Sequence, residues 1–161
     1  SYPLSFLIKK GIELIELEYE ISEVEAKLNG LREHTRLYLV PSNLDQLKKS
    51  GRVSGGQAIL ASLFNIKPIL AIEDGAAKIK DKVRTEKKAI AWLINNLRTD
   101  LEIKTVRKAA IVHANDIERA TELEKLVNET FPEIETEIMM LITVAGVHTG
   151  VGTLGLSWVC E

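Results

Sequence analysis

The sequence predicts an α/β domain, a mixed β-sheet of about six strands flanked by helices. Six short apolar or alternating segments, at residues 35–40, 66–73, 78–84, 109–113, 134–141 and 154–159, have the length and residue types of strands. Between them run stretches whose apolar residues recur at helical spacing. The chain has 161 residues, 45% of them hydrophobic and 27% charged, with no internal repeat or low-complexity tract. That is enough for one hydrophobic core and too little for two independent ones. Strands and helices interleaved in one core give a layered α/β architecture.

Leu4, Leu7, Ile8 and Ile12 recur at helical spacing, and Gly11 is read as a break, so the chain starts with a short helix. From Ile15 to Ile21 apolar and acidic residues alternate strictly, a strand pattern in a glutamate-rich segment that also suits a helix; both readings stay open. Ser22-Glu23-Val24-Glu25 has the form of a capping box, which predicts a helix ending near Asn29-Gly30. Residues 35–40 then form a strand that Pro41 ends. Residues 43–50 and 57–65 predict two short helices, the second apolar. Residues 66–73 and 78–84 form a hairpin through a turn in which Asp74 serves only the geometry. Thr85 caps a helix whose buried face carries Ala89, Ile90, Trp92, Leu93 and Leu97. A buried strand at 109–113, a helix over 116–130 and strands at 134–141 and 154–159 complete the chain.

Charge and cysteine content exclude several functions. The formal net charge is −2, with no global field to attract nucleic acid or an anionic membrane. The single cysteine, Cys160, rules out an internal disulfide and a cysteine zinc cluster. No apolar run approaches the length of a membrane span and no signal peptide is legible, so a soluble, cytoplasmic protein without stable membrane insertion is expected. The start at Ser1-Tyr2-Pro3, without methionine and already in a helical pattern, points to a fragment or processed product.

The chemistry-bearing signals cluster at glycine. Seven of the ten glycines fall in two windows, Gly51, Gly55 and Gly56, then Gly146, Gly150, Gly152 and Gly155, read as two special loops. Such loops bring several N–H groups to an anion, although glycines of this kind also serve plain turns. Neither window is a nucleotide-binding fingerprint. Each carries polar residues, Arg52 and Ser54 in the first, His148 and Thr149 in the second, among apolar neighbours. A pocket mouth has this composition.

In four phrases the sequence resembles the C-terminal part of the DegV family, the fatty-acid-binding subunits of bacterial fatty acid kinase. They are Leu-Lys-Lys-Ser-Gly-Arg-Val-Ser-Gly at 47–55, Leu-Ala-Ser-Leu-Phe-Asn-Ile-Lys-Pro-Ile-Leu at 60–70, Lys-Val-Arg-Thr-Glu-Lys-Lys at 82–88, and Gly-Val-His-Thr-Gly-Val-Gly-Thr-Leu-Gly at 146–155. Gly-Val-Gly stands where many members have Gly-Pro-Gly, and the 11–21 region looks longer than usual. The resemblance implies the C-terminal domain of a two-domain protein, with residues 1–33 a helical segment, 34–161 the core, and the N-terminal domain absent from this chain. It further implies that a long-chain fatty acid is the ligand, with no other cofactor and no metal. The bound carboxylate would be presented to a separate kinase catalytic subunit, and the acyl phosphate would serve phospholipid synthesis. His148 then acts as a polar ligand, Arg52 supports the same network and Arg84 anchors the kinase; Ser54 and Thr149 join the expected ligand set as the other polar residues of the two windows.

The residues themselves agree with a carrier. Leu60, Phe64 and Ile69 lie in an apolar stretch next to Arg52 and Ser54 and are the expected acyl lining, although apolar periodicity is first of all a core signal. Lys78, Lys80, Lys82, Arg84, Lys87 and Lys88 outnumber Asp81 and Glu86. Without interleaved aromatic residues this patch suits an acidic protein or a head-group surface better than single-stranded nucleic acid, and charge runs also serve as plain solvated faces; the resemblance favours protein docking, with Lys82 and Lys87 beside Arg84. His113 reads as a strand-end residue near a helix N-terminus, His34 as exposed, and Cys160 as no nucleophile. The competing readings are an enzyme of phosphoryl transfer or hydrolysis using His148, and a purely structural interaction domain.

Overall fold

The computed structural model describes residues 2–42, 44–50, 66–73 and 76–161. The elements run α1 (Tyr2–Glu16), α2 (Ile21–Glu33), β1 (Thr35–Val40), α3 (Asp45–Ser50), β2 (Lys67–Glu73), β3 (Ala76–Val83), α4 (Glu86–Ile103), β4 (Lys108–His113), α5 (Ile117–Thr130), β5 (Glu135–Met140), α6 (Thr143–Thr149) and β6 (Leu154–Val159). Six strands form one sheet in the order β3-β2-β1-β6-β4-β5. Only β4 and β5 pair in parallel, joined through α5; the other neighbours are antiparallel. This is the mixed α/β sheet expected from the sequence.

Alternation along the strands gives each sheet face its own core. Tyr38, Ile69, Ile111, Leu156 and Trp158 point to the face covered by α4 and α5, where they meet Leu93, Leu97, Leu123 and Val127. Leu37, Leu39, Leu70, Val112 and Val159 point to the other face, against Tyr2 of α1 and Leu47 of α3. Both faces of β6 are therefore buried, as befits a strand near the centre of a sheet. Gly155 shows how tightly: a Cβ there would run into the Tyr38 carbonyl and lie 2.7 Å from Leu39 Cδ2.

The caps explain the boundaries. Thr85 accepts the Lys88 N–H at the start of α4, and Asp116 accepts the Arg119 N–H at the start of α5. At α2 the capping box is Glu20 with Glu23, two residues before the expected Ser22, and the helix runs through Gly30 to Glu33. Gly11 does not break α1: it is buried inside the helix, where a Cβ would lie 3.3 Å from Leu28 of α2. The alternating stretch 15–21 is no strand. It is the end of α1, a turn with Glu18 at φ 61°, and the start of α2.

Candidate functional site

Strand directions gather the predicted polar segments at one end of the sheet. β1, β4 and β5 finish there, β6 begins there, and the register Lys67↔Val83 brings the start of β2 and the end of β3 to the same end. His148 and Arg84 are thus at the same end of the sheet, beyond β5 and β3 respectively, although α4 and α5 lie between them along the chain. Arg52, Ser54, Leu60 and Phe64 lie outside the described residues. The elements that flank them belong to this end: α3 packs on α6, and β2 starts here.

The second glycine window is only partly a loop. Gly146 and His148 lie in α6, and Gly155 lies in β6; the turn between them holds Gly150 and Gly152 at φ 88° and 81°. His148 is therefore on a short helix, not in the loop between strands expected from the sequence. Gly152 is held on every side. Its N–H donates to the Ala114 carbonyl at 2.8 Å, its carbonyl accepts from Arg119 Nη1 at 2.9 Å, and a Cβ would sit 2.7 Å from Ser42 Oγ. Its positive φ and this crowding both require glycine. The buried Thr153 hydroxyl reaches the Gly150 and Thr149 carbonyls and closes the turn.

His148 is half-buried, and its Nδ1 is shielded from solvent without a hydrogen-bond partner among the described residues. A buried imidazole nitrogen left unpaired costs free energy, and a ligand that pairs with it recovers that cost. Thr149 is a different case and a correction to the sequence reading. It is buried, and its single O–H donates to the Ala145 carbonyl at 3.0 Å, which leaves no donor for a carboxylate. Ile69 is corrected too: fully buried in the core beneath α4, it belongs to the sheet face away from α1, α3 and α6 and has no surface to lend to an acyl chain.

The apolar surface lies instead on α6 and its flanks. Met140, Ile142, Val144, Val147 and Val151 are each more than half exposed. Met140, Val147 and Val151 border a shallow groove of about 350 Å³, together with Gln46, Asn115 and Thr143. Exposed apolar side chains gathered around a groove mark a binding surface more often than a solvent face. The sequence held only part of a signal for it, since Val144 and Val147 stand one turn apart on α6 while Met140 ends β5 and Val151 lies in the following turn. A second exposed stripe runs along α1 through Leu4, Ile8, Ile12 and Ile15, also each more than half exposed.

Arg84 is exposed between the end of β3 and the Thr85 cap, and no ion pair among the described residues uses it. Lys82 and Lys87 flank it, likewise exposed, while Lys80 is paired with Glu73 at 2.7 Å. His113 is buried, and its Nδ1 accepts the Asp116 N–H at 3.0 Å, so it fastens the start of α5. His34 is exposed, with Nδ1 2.8 Å from Lys104 Nζ. Burial, assisted by the hydrogen bond to Asp100, pushes the Cys160 thiol up to about 11, which leaves it protonated and unreactive. Among the described residues no group of acidic, histidine and cysteine side chains could hold a metal ion. None of their helices is long and apolar enough to cross a membrane.

The family described as "Uncharacterised protein, DegV family" matches residues 1–161, the whole chain. The chain belongs to the DegV family. A DegV domain-containing protein of Listeria innocua is 33% identical over 149 residues, 92% of this chain and 53% of the relative. Among solved structures, a fatty acid binding DegV family protein from Streptococcus agalactiae superposes with a TM-score of 0.91 at 26% identity, over 99% of this chain and 56% of the other. DegV, a fatty acid binding protein from Bacillus subtilis, gives 0.85 at 28%, over 99% and 57%. This chain thus spans about half the length of the curated relatives it matches.

Proposed function

We propose that this DegV chain is one domain of a fatty-acid carrier, holding an acyl chain and presenting its carboxylate to a separate fatty acid kinase. The observation that carries the reading is the set of exposed apolar residues Met140, Ile142, Val144, Val147 and Val151 on and around α6, the helix that also carries His148, whose Nδ1 has no partner among the described residues. An acyl chain needs a long apolar bed with a polar group at one end, and this arrangement offers both. The two similar proteins described as fatty acid binding support the same ligand. His148 would hold the carboxylate, joined by Arg52 and Ser54, with Leu60 and Phe64 extending the lining.

The other half of the pocket would come from an N-terminal domain of the full-length polypeptide. The α1 stripe, like the apolar surface around α6, then faces a partner and not water. The carrier needs no nucleophile of its own: the kinase supplies nucleotide and chemistry, and the carrier supplies position, which alone accounts for large rate effects. Arg84, with Lys82 and Lys87, would receive the kinase. Among the described residues no hydrogen bond or ion pair joins His148 to a carboxylate, so the enzymatic reading finds no base–orienter pair there.

Full-length protein purified from its own cells, extracted and analysed by mass spectrometry, tests the reading. One acyl chain per protein is expected. Protein that never carries one, and binds none when offered oleate, overturns it. Phosphohistidine formed at residue 148 from a phosphodonor would favour the enzyme instead.

A further inference from the structure

Arg119, on the first turn of α5, joins two places that the proposed function uses separately. Its Nε donates to Glu86 Oε1 at 2.7 Å, and Nη2 reaches the same oxygen. Its Nη1 donates to Asp116 Oδ2 at 2.8 Å and to the Gly152 carbonyl at 2.9 Å. Glu86 is the first residue of α4, two positions after Arg84 and next to Lys87. Gly152 sits in the turn that links the His148 helix to β6. A half-buried guanidinium thus spans from the cationic edge to the glycine turn, with Asp116 balancing its charge. Its planar fork serves three acceptors at once, which a lysine ammonium on a flexible stem does not reproduce.

We propose that Arg119 is a positioning residue that couples the two sites, so that binding at the Arg84–Lys87 edge is sensed at the His148 turn and ligand at the turn is sensed at the edge. Coupling of this kind is reciprocal by thermodynamic necessity. The physical path is short: displacement of Glu86 pulls on the guanidinium, and the guanidinium holds the Gly152 carbonyl. The inference rests on the proposed function for what binds at each place, the fatty acid at the turn and the kinase at the edge.

Amide hydrogen exchange on the full-length protein tests it, first without ligand. Glu86→Gln, a change at a partly exposed side chain, is expected to speed exchange at Gly152 and Thr153 by about tenfold or more, as loss of a charge-assisted hydrogen bond should. Lys125→Gln, on the exposed side of α5, is expected to leave those amides unchanged. Equal exchange in Glu86→Gln and wild type overturns the coupling, whatever the ligand. Saturating oleate is then added. Protection is expected at residues 148–153 and also at Lys88 and Ala89 in the first turn of α4. In Arg119→Lys, which keeps the charge, the first protection is expected to persist and the second to vanish. Protection at α4 that survives in Arg119→Lys refutes the role of Arg119. Absence of protection at 148–153 in every protein refutes the fatty-acid reading, and the ligand-free comparison then decides the coupling by itself.

Discussion

Val147 offers the sharpest test of what covers the apolar surface around α6. It is 62% exposed on a short helix, next in sequence to His148. Fully burying a valine side chain is worth about 1.5–3 kcal/mol relative to leaving it in water. An acyl chain laid across Val147 can gain at most the exposed share of that, about 1–2 kcal/mol. Val147→Ser removes both methyl groups, so the Kd of full-length protein for a long-chain fatty acid should rise by up to about five- to thirtyfold. The fold should hardly notice, because serine and valine have similar helix propensity and exposed substitutions usually stay within about 0.5 kcal/mol. Displacement of a fluorescent fatty acid measures the first quantity and a thermal melt the second. Affinity unchanged within about twofold, with an intact melt, would refute the idea that this surface meets the acyl chain. A melting point lowered by several degrees would make Val147 a packing residue instead.

Three further outcomes are expected. Arg84→Ala should leave the melt and fatty acid affinity where they were while lowering phosphorylation by the kinase; because the encounter acts through screened charge, added salt should mimic the substitution in wild type. Unchanged turnover would remove Arg84 from the docking edge. Gly155→Ala should destabilise the domain by about 3 kcal/mol or more, or prevent folding, because the new methyl meets the backbone of β1 and cannot be relieved by a side-chain rotation; a denaturant titration reads this. Burial holds the Cys160 proton on in the folded state to about pH 11, while the unfolded chain releases it in the ordinary thiol range. Stability should therefore fall as pH rises from that range through about 11, and Cys160→Ser should flatten this part of the profile. Identical profiles for the two proteins would show that Cys160 contributes nothing.

By itself the sequence determined the sheet and the identity of most helices. Strands 35–40 and 154–159 were legible because both faces are buried and the segments are short and apolar. The helix at 86–103 was legible from a local cap and a 3.6-residue stripe, both of which live within one element. Within the four family phrases, the glycine at 152 is a residue type that the backbone itself requires, through its positive φ and the crowding against Ser42. Local patterns misled where glutamate and glycine were involved. Alternation over 15–21 concealed a helix–turn–helix, and Gly11 stands inside α1 because packing on Leu28 of α2 outweighs its weak propensity; Gly30 is also helical, in the exposed last turns of α2. Only the tertiary structure decided which apolar residues are core and which are surface. Ile69 and Val147 look alike in sequence, but pleat and register turn Ile69 beneath α4, while nothing among the described residues covers Val147. The same holds for Arg119, whose partners Glu86 and Gly152 each lie 33 residues away along the chain. Strand order brings them within one guanidinium's reach, and no local periodicity can record a distance that the sheet creates.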